Sequence, residues 1–142
     1  MSIARIIEER HQDIISCTPH DSVRQAAALL AEKRIGAMPV MDGGKVIGIF
    51  SERDLLHCIA RDGAAALDHM IGQVMTAPPI TIERDHDALD AMALMTRRRI
   101  RHLPVVDGER LLAFVSIGDL VKHRIERIEA EAEMMREYIT TA

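Results

Sequence analysis

Two short patterns hold most of the polar chemistry of this chain: Ser51-Glu52-Arg53-Asp54 and Ser116-Ile117-Gly118-Asp119. Each follows an apolar run (residues 46–50 and 111–115) and opens a helical pattern. Taken singly, Ser-x-x-Asp reads as a helix cap, with the serine accepting an orphan N–H and the aspartate complementing the positive end of the dipole. The same geometry suits a ligand. A helix start offers N–H groups to an anion, the hydroxyl adds a contact, and an ionised carboxylate has two acceptor oxygens for a pair of adjacent hydroxyls.

Other chemistry finds less support. The seven histidines (11, 20, 57, 69, 86, 102 and 123) form neither H-x-x-x-H nor H-E-x-x-H, so no metal is expected. Residues 43–48 are glycine-rich but lack both phosphate-loop signatures, and they read as a hairpin turn. With no G-x-S-x-G and no Ser, His and Asp set that suggests a nucleophile, the chain is not expected to be an enzyme. Cys17 and Cys58 form no C-x-x-C, which points to a reducing compartment and inert thiols. The run Arg97-Arg98-Arg99 reads as a solvated helix end.

Composition narrows the class further. A net charge of −4 argues against a nucleic-acid binder, which needs a strongly basic face. No apolar run reaches the roughly 20 residues of a membrane span, and the first residues lack the apolar core of a signal peptide. A cytoplasmic protein with no membrane contact is expected. Two Phe, one Tyr and no Trp among 142 residues leave the core to aliphatic side chains and methionine.

The patterns recur because the chain repeats itself. Residues 14–56 align without a gap on residues 79–121, offset by 65, with 13 of 43 positions identical. The identities include Arg34/Arg99, Pro39/Pro104, Gly43/Gly108, Ser51/Ser116 and Asp54/Asp119. Each copy predicts a β segment (13–17; 79–82), a helix (22–34; 87–99), two strands around an Asp-Gly turn (37–41 and 46–50; 102–106 and 111–115), and a second helix from the serine. Ser22 and Asp87 suit the N-cap. The fold class is therefore α+β: two β-α-β-β-α units with pseudo-two-fold symmetry, which must pack on each other because neither can bury both faces of a three-stranded sheet. The organisation reads as residues 1–62 (first repeat with a short helix over 3–10), 63–125 (a helical linker over 63–75 and the second repeat), and 126–142 (a C-terminal helix), together one integrated domain.

These residues identify a family resemblance. The duplicated unit, Ile-Gly-Ala-Met-Pro-Val (35–40), Ile-Arg-His-Leu-Pro-Val-Val (100–106) and the two Ser-x-x-Asp helix starts resemble CBS domains, whose tandem pair is called a Bateman module. The chain looks most like small proteins consisting of little besides the pair. That resemblance implies an adenosine ligand (AMP foremost, with ADP, ATP, NAD(H) or S-adenosylmethionine as the wider class) and disc-like homodimers. It implies one site with Arg101, His102, Ser116, Gly118 and Asp119 from the second repeat and Ile15 and Ile35 from the first. It implies another with Gly36, Ala37, Ser51, Arg53 and Asp54, and Ile80 and Ile100 across the cleft. Because Gly36 and Ala37 stand where the other copy has Arg101 and His102, the Asp119 site is expected to favour phosphorylated ligands more strongly.

The tail carries a separate signal. Val121, Ile125, Ile128, Ala132, Met135 and Ile139 follow 4-3-4-3-4 spacing, an a/d seam. A homodimer contact is expected there, with packing back on the same chain as the alternative. The functional expectation is a nucleotide sensor read by a regulated protein that the sequence does not identify. Alternatives are a constitutive dimeric scaffold holding a structural nucleotide and, behind it, a redox or metal sensor using the cysteines and histidines.

Overall fold

A computed structural model describes residues 1–9 and 13–141. The hairpins expected from the Asp-Gly turns are present: β1 (Ala37–Asp42) with β2 (Lys45–Ser51), and β4 (His102–Asp107) with β5 (Arg110–Ser116). Gly43 and Gly108 take φ of +58° and +61°, a left-handed turn conformation that glycine adopts without steric cost. The two hairpins share even their irregularity, a register shift at Val40/Met41 and at Val105/Val106.

They lie edge to edge. With β3 (Ile82–Glu83), they form one five-stranded sheet ordered β1-β2-β5-β4-β3. Among the described residues, β2 and β5 meet through one register pair, Lys45↔Arg110. The sheet junction between the repeats is thus narrow.

The opening strand of each repeat is shorter than expected. Ile82 pairs in parallel with Val105, and its counterpart is an isolated bridge from Cys17 to Val40, displaced by the same 65 positions. Proline and turn chemistry explain the shortening. Pro78 and Pro79 have no N–H with which to begin a ladder. After Cys17 the chain turns, with the Thr18 N–H donating to Asp21 Oδ2 at 2.9 Å.

The first helices are α2 (Val23–Lys33) and α5 (Ala88–Arg98). Ser22 caps α2 reciprocally with Gln25, at 3.1 and 2.9 Å. Asp87 stands at the matching position of α5 and pairs with the Met1 α-amino group at 2.8 Å. Both helices end on an arginine at φ 54°, Arg34 and Arg99. The next isoleucine closes the turn in each copy, Ile35 N–H to the Leu30 carbonyl and Ile100 N–H to the Met95 carbonyl.

The second helices are α3 (Glu52–Asp62) and α6 (Ile117–Thr141). α6 is one uninterrupted helix of 25 residues, so the expected boundary near residue 126 marks no break. The linker does break. A 3-10 turn over Gly63–Asp68 follows α3, and a single helical turn, α4 (Ile71–Val74), comes after it. Gly63 at φ +65° turns the chain out of α3. Thr76 then pairs with Ile49 through two 2.9 Å backbone hydrogen bonds.

Each repeat encloses its own apolar cluster. Val23, Leu30, Met38, Val40, Phe50 and Ile71 fill the first, and Ile82, Met95, Leu103, Val105, Val115 and Leu120 fill the second. The N-terminal helix, α1 (Ile3–Glu8), precedes the first repeat in the chain but packs into the second, burying Ile3 and Ile6 there. Backbone bonds from Ile3 to the His86 carbonyl and from Ala4 to the Arg84 carbonyl fix it. Residue 10, the last of the expected helix, lies outside the described residues. No charged or polar residue among those described is buried in either core.

Candidate functional site

Both Ser-x-x-Asp patterns cap their helices. The Ser116 N–H donates to Asp119 Oδ2 at 2.8 Å, and the Asp119 N–H donates to Ser116 Oγ at 3.1 Å. The same exchange joins Ser51 and Asp54, at 2.9 and 3.2 Å.

A cleft of about 360 Å³ runs between the repeats. The second repeat gives it Ser116 and Asp119, His102, and the Leu112–Val115 stretch of β5. From the first repeat come Asp13, Ile14 and Ile15, then Arg34, Ile35, Gly36 and Ala37, where α2 turns into β1. The first-repeat wall sets Ile14, Ile15 and Ile35 beside the Asp13 carboxylate, and the other carries a carboxylate, a hydroxyl and an imidazole. Arg34 adds a guanidinium at the rim.

The structure thus brings Ile15, Ile35, His102, Ser116 and Asp119 to one cleft. Gly36 and Ala37, which the resemblance grouped with Asp54, also line it. The starts of β1 and β4 approach each other here: a Cβ on Gly36 would lie 3.5 Å from His102 Cε1. Arg101 and Gly118 are exposed and are not among the lining residues. The Arg101 carbonyl accepts the Ile117 N–H at 2.8 Å, anchoring the start of α6.

His102 is set for a particular charge state. Its ring stacks on Phe114, with centroids 5.5 Å apart and planes 11° from parallel. Burial pushes its pKa below the usual histidine value, and the Arg101 charge acts in the same direction; Asp119 and Glu52 oppose them. A lowered pKa favours the neutral ring at pH 7, in which one nitrogen is an acceptor.

The first helix start has different neighbours. Thr76 Oγ1 donates to Asp54 Oδ1 at 2.8 Å, and Ser51 Oγ donates to Asp54 Oδ2 at 3.0 Å. Arg53 reaches across to the Arg99 carbonyl, its Nη1 at 3.0 Å. Ile80 and Ile100 pack against the second repeat's core. The linker lies so close that a Cβ on Gly48 would meet Met75 Sδ at 2.7 Å and the Thr76 carbonyl at 2.9 Å. Asp54 is therefore held by Ser51 and Thr76, and Arg53 by the facing repeat.

Sequence reasoning missed Arg34, Phe114 and Thr76. Arg34 was legible as an identity shared with Arg99 but was read as part of a helix end. Phe114 and Thr76 carry no motif. No group of three or more potential metal ligands occurs among the described residues, and no described helix is long and apolar enough to cross a membrane. Both cysteines are free and buried. Burial, aided by Asp21, pushes the Cys17 thiol up to about 12.

A duplicated α+β unit with a cleft at a Ser-x-x-Asp helix start defines a class, the tandem α+β repeat. Within that class the chain belongs to the CBS-domain family, whose model matches residues 6–61 and 71–126. It is 34% identical over 128 residues to the mitochondrial CBS domain-containing protein CBSX3 of Arabidopsis thaliana, covering 87% of this chain and 62% of that one. The CBS-domain protein ATU1752 of Agrobacterium tumefaciens superposes with a TM-score of 0.83 at 35% identity, covering 87% of this chain and 99% of that one. CBSX2, solved in complex with AMP, superposes with a TM-score of 0.72 at 28% identity, covering 82% of this chain and 90% of that one.

Proposed function

We propose that this chain is a non-enzymatic regulatory module that takes an adenosine nucleotide, AMP foremost, in the cleft beside Asp119. The observation that carries the reading is the cleft's composition: Ile14, Ile15 and Ile35 from one repeat, with Asp13 and Arg34 beside them, facing Ser116, His102 and Asp119 from the other. A purine fits against Ile14, Ile15 and Ile35. The ribose hydroxyls donate to Asp119, and the phosphate lies toward Ser116, His102 and Arg34. At about 360 Å³ the space falls within the range of small-molecule sites, roughly 300–1,000 Å³. The AMP complex of CBSX2 supports this ligand class.

Binding would act on the relation between the repeats. The sheet joins them through Lys45↔Arg110, whereas a ligand in the cleft contacts Ile35 on one side and Asp119 on the other. A bound nucleotide therefore resists relative rotation of the two hairpins, and a partner protein reads the resulting orientation. Such a switch requires different nucleotide affinities in the two orientations. A redox role is disfavoured by the buried Cys17 thiol, which is held far from its reactive thiolate form.

Mass spectrometry of small molecules released from freshly purified protein, followed by calorimetry with AMP, ADP, ATP, NADH and S-adenosylmethionine, tests the reading. An adenosine compound that is released and rebinds supports it. No binding of any of the five overturns it.

A further inference from the structure

We infer that the residue before each helix-start aspartate decides whether its cleft admits a nucleotide: Arg53 bars the first cleft from within, and Gly118 leaves the second open. The chain then holds one nucleotide rather than two. This rests on the reading of the Asp119 cleft as a nucleotide site, and it adds what sets the number of sites. The duplication supplies the comparison. Ser51 and Asp54 recur as Ser116 and Asp119, and Arg34 recurs as Arg99. Both of those arginines hold the same left-handed turn, at φ 54°. The position before the aspartate breaks the match, with arginine in one copy and glycine in the other.

The open cleft shows what that position faces. Ser116 and Asp119 line it on one side, and the Arg34 turn lines it on the other. The line from residue 118 to Arg34 therefore crosses the space assigned to the nucleotide. In the first copy the same line runs from residue 53 to Arg99, and it is filled. The Arg53 side chain spans the two repeats, its Nη1 donating to the Arg99 carbonyl at 3.0 Å. Gly118 has no side chain with which to make the corresponding span. Sterics do not demand glycine there: its backbone is helical, and an added Cβ would meet nothing closer than Ser116 Oγ, at 3.6 Å. The missing side chain is what keeps the mouth of the second cleft clear. In the first cleft a nucleotide must displace the guanidinium and break a charged hydrogen bond. Arg53 is exposed, so that bond lies at the weak end for charged donors, and its loss costs about tenfold in affinity.

Titration calorimetry of the full chain with AMP, with thermal denaturation to confirm folding, tests this. The wild-type chain is expected to bind one AMP. R53G is expected to bind two, and adding D54N to R53G should return the count to one. G118R tests the same rule without touching Arg53. It is expected to weaken the wild-type event by about tenfold or more in a chain that still folds, because Gly118 is exposed and lies outside both cores. Two AMP molecules bound with similar affinity by the wild-type chain overturn the inference and leave the nucleotide reading standing. So does a count of one in R53G, or a G118R affinity within about threefold of wild type. A wild-type chain that binds no AMP overturns the AMP reading, and this inference with it.

Discussion

Replacing Asp119 by Asn is the sharpest probe of the cleft. The substitution is isosteric. An amide oxygen can still accept the Ser116 N–H now bound at 2.8 Å, so the cap survives and folding is little affected. What disappears is the charge proposed to receive the ribose hydroxyls. A hydrogen bond to a charged group contributes about 1.5–3 kcal/mol. Weakening two such bonds without abolishing them should cost roughly 2–4 kcal/mol, or about 30- to 1,000-fold in affinity. The matching Asp54→Asn substitution falls where Thr76 and Ser51 already engage both carboxylate oxygens, and it should change AMP affinity by less than about threefold. Isothermal titration of the wild-type and two variant chains with AMP, checked by thermal denaturation for intact folding, measures both numbers. Equal losses at the two positions, or an unchanged affinity in Asp119→Asn, would refute the assignment of the ribose to Asp119.

Four further outcomes are expected. His102 is held neutral in the free protein by burial and by Arg101. A phosphate beside it raises its pKa, so binding takes up protons and tightens as pH falls from about 8 toward 6; calorimetry in buffers of different ionisation enthalpy should show the uptake, and His102→Gln should abolish it. The same depressed pKa adds a stability contribution that is present above the unfolded value of 6.5 and is lost as pH falls through the folded value. Cys17, pushed up to about 12, should resist iodoacetamide in the native protein at pH 8 and react on unfolding, with peptide mapping as the readout. Leu103 is fully buried in the second core, so Leu103→Ala should lower stability by about 2–5 kcal/mol in urea denaturation.

Much of the molecule was legible because it is written twice. Pro39 and Pro104, the Asp-Gly pairs and the two serine–aspartate helix starts recur at one offset, so each copy checks the other. The duplicated α+β architecture follows from that periodicity, and the CBS family was legible through the resemblance of the motifs it repeats. What escaped notice depends on contacts distant in the chain. Ile3 and Ile6 are close in sequence to the first repeat, yet they complete the second core, and no local pattern shows which surface a short amphipathic helix will find. Gly36 and Ala37 were grouped with Asp54 because they share its repeat; the approach of β1 to His102 puts them in the other cleft. Thr76 carries no motif at all, since its role is created by Asp54, 22 residues earlier. Arg34 adopts a left-handed conformation uncommon for non-glycine residues, and only the folded turn reveals that it rims the cleft.

The unbroken α6 couples distant places mechanically. Asp119 sits in its first turn, while Ile139 rides near its other end, on a rod about 36 Å long. A rigid rod magnifies angle into displacement: a tilt of about 5° at the cleft end sweeps the far tip through roughly 3 Å. That distance approaches one residue's advance along a β-strand, enough to disturb interdigitated side chains. Under the proposed function, a nucleotide that tilted this helix would move its far tip with no segment having to unfold.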